Sequence, residues 1–319
     1  MQLEKTVYKG KKIGIVIPAF NEEKLISKVI TTMPEFVDCM IVVDDASIDH
    51  TSRIVQEYQE QLGSRLILIR HTKNLGVGGA IISGHQRALE ENLDAVAIMA
   101  GDAQMDPDEL PILLDPVISG PANYSKGNRF VNREAWNRMP KVRYFANAIL
   151  SLLNKIATGY WHISDPQCGY TVISRSTLQM LDLPSLSKGY HFENSILLQL
   201  NVINARVVDV PVRAIYGIGE KSGINHWWAL VSFSIYLLRS FLWRLKEKYI
   251  IRDFHPLVFF YFFGFLFFST GLALGLYLVS YRLFFGLVQA TSALFATFLF
   301  TSGLQLLLFA MWFDKDYQR

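Results

Sequence analysis

The chain has 319 residues, a formal net charge of +3 and 18% charged residues, with two cysteines. A charge this close to neutral, without basic residues interleaved with aromatics, argues against a nucleic-acid binder. Cys39 and Cys168, in what reads as a cytoplasmic chain, give no reason to expect a disulfide.

In chain order, the N-terminal stretch "MQLEKTVYKGKK" has no apolar core, so no signal peptide is expected. Short apolar runs then alternate with helical patterns. Strands are predicted at Lys12–Ile17, Cys39–Val43, Arg65–Ile69 and Ala95–Met99, with helices at Glu22–Met33, His50–Leu62 and Val77–Asn92. Continuous β-branched runs bounded by turn residues indicate strands covered on both faces, hence an α/β fold with a mostly parallel sheet built of βαβ units. Ligands of such sheets bind beyond the C-terminal strand ends. Here those ends read Pro18-Ala-Phe-Asn-Glu-Glu23, Asp44-Asp45-Ala-Ser47, Arg70 to Gly79, and Asp102-Ala-Gln104.

Further along, strands are expected near Ala122–Gly127, Tyr170–Ile173 and Val210–Pro211, with a helix around Glu193. Trp227–Tyr249 combines apolar bulk with late basic residues, as one or two amphipathic helices at a membrane interface do. Between Asp253 and Asp314 the only formal charge is Arg282. Leu257–Ser280 and Leu283–Phe313 each exceed the roughly 20 apolar residues that cross a bilayer as a helix. The expected division is a soluble domain over 1–225, juxtamembrane amphipathic helices over 226–253, and a two-helix hairpin over 254–319, spanning about 257–280 and 285–313. Arg239, Arg244, Lys246, Lys248 and Arg252 precede the first span, so the positive-inside rule puts the large domain in the cytoplasm, at the plasma membrane. Gly264, Gly271 and Gly275 offer a face for packing against a second copy of the chain.

Several constellations point to chemistry, each with a plainer alternative. Asp44-Asp45 after a strand suits hydrogen bonding to a base or ribose; the plainer reading is capping of the next helix by Ser47 or Asp49. Gly76-Val-Gly78-Gly79 fails the spacing of a dinucleotide fingerprint and serves equally as a turn permitting close approach. Asp102 and Gln104, two apart on a strand exit, share a side and fit a hard divalent ion such as Mg²⁺ or Mn²⁺ completed by substrate phosphates. Asp106-Pro107 opens a helix in the plainer reading, and the two are compatible. Arg129, Arg133, Arg138, Lys141 and Arg143 form a basic run; guanidinium forks suit phosphate, while Arg133 and Lys141 read as a solvated face.

Taken in order, "IPAFNEE", "VVDDASIDHT", "NLGVGGAIISG", "GDAQMDP", "DPQCGY" and "VPVRAIYG" resemble family 2 glycosyltransferases of the GT-A fold. Within that family they are similar to the polyprenyl-phosphate glycosyltransferases, such as dolichol-phosphate mannose synthases and GtrB-type enzymes. The resemblance implies that Pro18, Asn21, Glu22, Asp44 and Asp45 line a nucleotide pocket, with Gly78 near the sugar nucleotide. It implies a metal at Asp102 and Gln104, with Asp102 as the second aspartate of a DxD motif whose first position is Ala100. Arg129, Arg143 and Asn147 would contact acceptor phosphate, Asp165 would belong to the catalytic loop, and Lys221 and Ser222 to a loop closing over the diphosphate. Asn147 stands where the family has serine, Cys168 where it has a small hydroxyl residue, and Tyr216 near a frequent arginine. The Q-x-x-R-W motif of processive synthases is absent from the sequence, which argues against polymerisation.

The function so implied is inverting transfer of one sugar from a UDP- or GDP-sugar to a membrane polyprenyl phosphate, undecaprenyl or dolichyl, on the cytoplasmic face. Two alternatives stay open: a neutral lipid acceptor, with Asp165 as base, and a catalytically inactive, membrane-anchored nucleotide-sugar binder.

Overall fold

In the computed structural model, which describes residues 8–129, 151–213 and 226–317, the N-terminal apolar runs become β1 (Ile13–Ala19), β2 (Cys39–Asp44), β3 (Leu66–Arg70) and β4 (Ala95–Ile98). With β5 (Tyr124–Asn128), β6 (Thr171–Ser174) and β7 (Val207–Pro211) they form one seven-stranded sheet, ordered β3-β2-β1-β4-β6-β5-β7. Pairing is parallel throughout except for β6, antiparallel to both β4 and β5. Every residue of β1, β2, β4 and β5 is buried, which is why their sequences run apolar instead of alternating. The pleat still sorts them. Ile13, Ile15, Ile17, Met40 and Val42 face one core, which takes in Ile26, Val29 and Ile30 of α1 (Ile26–Thr31) and Leu110, Leu113 and Leu114 of α4 (Leu110–Ile118). Val16, Ile41, Val43, Val96 and Ile98 face the other, with Ala80 and Ile81 of α3 (Val77–Glu90) and Ile196, Leu197 and Leu200 of α6 (Phe192–Val202). The remaining helices of this part are α2 (Thr51–Leu62) and α5 (Arg175–Met180), with a further helical stretch at 151–158.

Pro18 is tolerated inside β1 for a geometric reason. Its carbonyl points toward β4 and accepts from Gly101 N–H at 3.1 Å. The β1–β4 ladder ends at Val16↔Ile98, so the N–H that proline lacks would fall past the last pair. The predicted helix over Glu22–Met33 is shorter than expected, because residues 21–25 turn first: Asn21 sits at φ +57° and its side-chain oxygen accepts from Ile48 N–H at 2.9 Å.

By its contacts the chain divides into Met1–Ser240 and Phe241–Arg319, a boundary that falls within α7 (His226–Lys246). That single helix, extended by a π-helical turn over Glu247–Arg252, occupies the expected amphipathic segment. Ile235, Leu238 and Leu242 make an exposed apolar stripe at helical spacing, joined beyond it by Ile250, Ile251 and Phe254. Of the five basic residues that precede the first span, Arg244 and Lys248 are buried. The Arg244 guanidinium meets both oxygens of Asp314 at 2.8 Å, and Tyr249 Oη donates to the same carboxylate at 2.5 Å.

The two long apolar helices are α8 (Leu257–Phe284) and α9 (Ala290–Asp316), with mean hydropathy of 2.1 and 1.9 over their best windows. At 1.5 Å per residue each is roughly 40 Å long, enough for a hydrocarbon layer of about 30 Å. Gly264 and Gly271 lie in the seam of this hairpin instead of on an outer face. A Cβ on Gly271 would fall 2.4 Å from the Phe300 nitrogen, so only glycine lets the backbones approach. Gly275 meets nothing within 4 Å.

Candidate active site: a cleft at the strand ends

Because β1 is flanked by β2 on one side and β4 on the other, a crevice opens beyond their C-terminal ends, where the chain connections diverge. A cavity of about 440 Å³ occupies it. Pro18 and Glu22 after β1, Asp45 after β2, Asp102 after β4, and Gly76, Val77 and Ala80 at the start of α3 form its walls. Four residues assigned from the sequence, Pro18, Glu22, Asp45 and Asp102, are therefore brought together.

Glu22 and Asp102 line the cleft together and are close enough to interact electrostatically. Burial, then the negative charge of Asp102, then that of Asp49, push the Glu22 carboxyl up to about 6. Asp102 also accepts the backbone N–H of Gln104 at 3.1 Å, so Gln104 meets it through the main chain. Asp106 caps the following turn, accepting from Asp108 N–H at 3.0 Å. Among the described residues no three His, Cys, Asp or Glu side chains gather as a closed metal site. Two hard carboxylates, the charge of Asp102 raising the proton affinity of Glu22, nonetheless fit an oxygen-seeking divalent ion whose shell is finished by a diphosphate.

Other assigned residues serve the frame. Asp44 is buried; it accepts Ser47 N–H at 3.0 Å and the Ser52 hydroxyl, shaping the turn into α2. Asn21 stitches that turn to the end of β1, its N–H donating to Ser47 Oγ at 2.9 Å. Asp45 does two jobs: it lines the cleft and accepts the N–H groups of Leu75 and Gly76, each at 2.8 Å. Gly78 is required by close packing, since a Cβ there would fall 2.3 Å from the Ser187 carbonyl oxygen. Gly76 adds a φ of +83° and a Cβ position 2.6 Å from the Lys188 carbonyl oxygen. The glycines thus let the 187–189 segment lie against the start of α3, with Gly79 N–H donating to Lys188 O at 3.1 Å. That segment delivers Gly189 and the exposed ring of Tyr190 to the cleft.

A second polar cluster lies at the end of β5. Arg129 binds Asp165 through two side-chain bonds, Nε to Oδ2 at 2.7 Å and Nη2 to Oδ1 at 3.1 Å, and Asp165 is fully buried. Lys126 is fully buried too, its ammonium donating to the Cys168 carbonyl. Burial raises the Glu193 carboxyl against the opposing pull of Lys126 and Arg129. Cys39 and Cys168 are both buried, and no disulfide joins them. Arg143, Asn147, Lys221 and Ser222, with Arg133, Arg138, Lys141 and Tyr216, lie outside the described residues.

Phe20, Tyr190 and Lys126 were not singled out from the sequence. Phe20 sits in a motif whose polar members drew attention, and nearly half its surface is exposed at the cleft. A glycine followed by an aromatic at Gly189-Tyr190 is a signal that could have pointed to Tyr190. Lys126 had a signal as well: one charge in the short strand "YSKGN".

Comparison with known proteins gives the chain's relatives. The family model described as "Glycosyl transferase family 2" matches residues 14–181, more than half of the chain. UDP-N-acetylglucosamine--dolichyl-phosphate N-acetylglucosaminyltransferase of Methanococcus voltae is 31% identical over 65% of this chain and 86% of its own length. Undecaprenyl-phosphate mannosyltransferase of Micrococcus luteus is 30% identical over 63% of this chain and 82% of its own length. Polyprenol monophosphomannose synthase of Mycolicibacterium smegmatis is 27% identical over 69% of this chain and 84% of that protein.

Proposed function

The chain belongs to glycosyl transferase family 2 and is a glycosyltransferase, and on that premise we propose that it moves a single sugar from a UDP- or GDP-sugar to a membrane polyprenyl phosphate. The observation that carries this reading is the cleft itself, lined both by the carboxylates of Glu22 and Asp102 and by Gly76 and Val77 at the N-terminal turn of α3, a kind of helix end whose backbone N–H groups favour a diphosphate. The related enzymes named above take polyprenyl or dolichyl phosphate as acceptor.

A phosphate monoester has a second pKa of about 6 and is largely dianionic at neutral pH. Such a nucleophile needs no general base, so the protein's work is positioning and charge stabilisation. One phosphate oxygen attacks the anomeric carbon, a new C–O bond forms, and the bond to the nucleoside diphosphate breaks, with inversion. Arg129 and Arg143 hold the acceptor phosphate in this reading, and Asn147 supports them. Asp102 and Glu22 would hold a divalent ion, Mg²⁺ or Mn²⁺, which when bound neutralises charge on the departing diphosphate. Lys221 and Ser222 close over that diphosphate. Asp165, the carboxylate a hydroxyl acceptor would need as base, is instead held at two points by Arg129, which favours the phosphate acceptor.

The hairpin α8–α9 anchors the chain in the membrane, with the outward stripe of α7 in the headgroup region and the catalytic domain on the cytoplasmic side. The test is transfer by the purified full chain in lipid nanodiscs, offered radiolabelled UDP- and GDP-sugars, polyprenyl phosphate or polyprenol, with and without EDTA. Metal-dependent labelling of the phosphate alone is expected; transfer only to the hydroxyl lipid sinks the reading.

A further inference from the structure

The wall of the cleft formed by Asp45 and the Leu75–Gly76 turn is held from behind by a chain of hydrogen bonds that the reaction scheme does not use. Asp45 Oδ1 takes Leu75 N–H at 2.8 Å and His71 Nδ1 at 2.7 Å, while Oδ2 takes Gly76 N–H at 2.8 Å. The far side of the ring, His71 Nε2, lies 2.9 Å from Ser83 Oγ. Three elements are tied in this way: the end of β2 through Asp45, the end of β3 through His71, and α3 through Ser83. His71 and Asp45 are both nearly buried, with side chains 10% and 4% exposed.

The donor pattern is settled by chemistry. A carboxylate only accepts, so Nδ1 carries its proton toward Asp45. In the neutral ring Nε2 then accepts from the Ser83 hydroxyl; in the charged ring it donates to the same oxygen. Ser83 accommodates both by rotating its hydroxyl. Ser83 lies three residues after Ala80 on α3, on the same face, and Ala80 itself lines the cleft. A carboxylate offers about four acceptor directions, and three of those on Asp45 are filled from within the protein.

We propose that His71 is a positioning residue for the donor site. Resting on the nucleotide-sugar reading above, it fixes the Asp45 carboxylate so that its one remaining acceptor direction meets an N–H or O–H of the donor's nucleoside, and it fixes the Gly76 turn beside it. Without the ring, Asp45 gains freedom to rotate, and the Leu75 and Gly76 amides lose a fixed partner. The effect belongs to donor binding and leaves the chemical step in place.

The experiment compares wild type, His71→Ala, His71→Asn and Ser83→Ala as full chains in nanodiscs. Calorimetry reads the affinity for UDP and for GDP in the presence of Mn²⁺, and hydrogen exchange reads the 74–79 segment without ligand. Asparagine keeps an N–H donor near the position of Nδ1. His71→Ala is expected to weaken the preferred nucleotide roughly 10-fold or more, as loss of a hydrogen bond to a charged group does. Its 74–79 amides should exchange faster, and where transfer is measured the donor KM should rise with kcat within about threefold. His71→Asn should recover most of the affinity, and Ser83→Ala, which leaves the Asp45 contact intact, should lose less than His71→Ala. Unchanged affinity and exchange in His71→Ala overturn the proposal, as does His71→Asn performing no better than alanine. A wild type that binds neither nucleotide overturns it as well. Nucleotide binding with no transfer to polyprenyl phosphate removes the acceptor reading alone and leaves this one standing.

Discussion

Arg129 and Asp165 are locked in a two-point pair, Nε to Oδ2 at 2.7 Å and Nη2 to Oδ1 at 3.1 Å, in which the carboxylate is fully buried and about a third of the arginine side chain is exposed. The arrangement aims a planar cation from a fixed base, and a lysine cannot reproduce the fork. Arg129→Lys is therefore expected to raise the acceptor KM roughly 10-fold while leaving nucleotide affinity unchanged. Steady-state kinetics with polyprenyl phosphate varied at saturating donor measure it. A donor-side defect of the same size would place Arg129 in the wrong half of the reaction.

The two cleft carboxylates lead to a prediction about order of binding. Glu22 and Asp102 line the cleft, and among the described residues no three His, Cys, Asp or Glu side chains gather as a metal site, so the ion is expected to depend on the nucleotide for its shell. Calorimetry should show Mn²⁺ binding weakly to the chain alone and tightly once UDP or GDP is present. Ala100→Asp, which adds a carboxylate beside the pair, should strengthen binding of Mn²⁺ without nucleotide. Tight binding to the unliganded wild type would contradict this.

Where the cleft would lie was readable from strand periodicity, because buried parallel strands run apolar to their ends and the polar residues just beyond them converge. Asp45 and Asp102 were found by that rule, while Pro18 and Glu22, which lie in a strand end that it names, were assigned through the family resemblance. What each carboxylate does there was less accessible. Asp44 and Asp45 are neighbours on one strand end, and the pleat sends them to opposite sides: one into the turn before α2, the other to the cleft and the Gly76 amides. Nothing local in the sequence separates those fates. Nor does it announce that Gly76 and Gly78 exist to admit the 187–189 backbone, a contact between segments more than 100 residues apart. Lys126 stayed hidden because a lysine in a short strand reads as an edge residue, whereas β5 lies between β6 and β7.

The same limit applies near the hairpin, where Arg244 and Asp314 were read as membrane-flanking charges and are instead fully buried partners. Removing one member strands the other in a dry site. Asp314→Ala should destabilise the chain by about 3–5 kcal/mol, whereas replacing both by apolar residues, Arg244→Met with Asp314→Leu, should cost much less. Thermal unfolding in detergent, followed by tryptophan fluorescence, compares the three. Equal losses in single and double variants would mean that the pair contributes through packing and not charge.

His85 gives the clearest dependence on pH. It lies on α3 with no exposed surface, neither ring nitrogen has a hydrogen-bond partner among the described residues, and burial alone pushes its pKa down to about 4 from an ordinary 6.5. The folded chain then binds fewer protons here than the unfolded chain does, so stability rises with pH between about 4 and 6.5 and is level above that window. Integrated over the window, the loss on acidification approaches about 3 kcal/mol, an upper figure at 1.36 kcal/mol per unit. His85→Leu, of similar volume, should remove this slope and raise stability at pH 7, since two buried nitrogens no longer go without partners. Denaturant midpoints measured at pH 4.5, 5.5, 6.5 and 7.5 for both proteins give the comparison. A variant retaining the wild-type slope would assign the acid sensitivity to other groups, with the buried carboxyls of Glu193 and Asp209 excluded by sign, because their raised values favour the fold as pH falls.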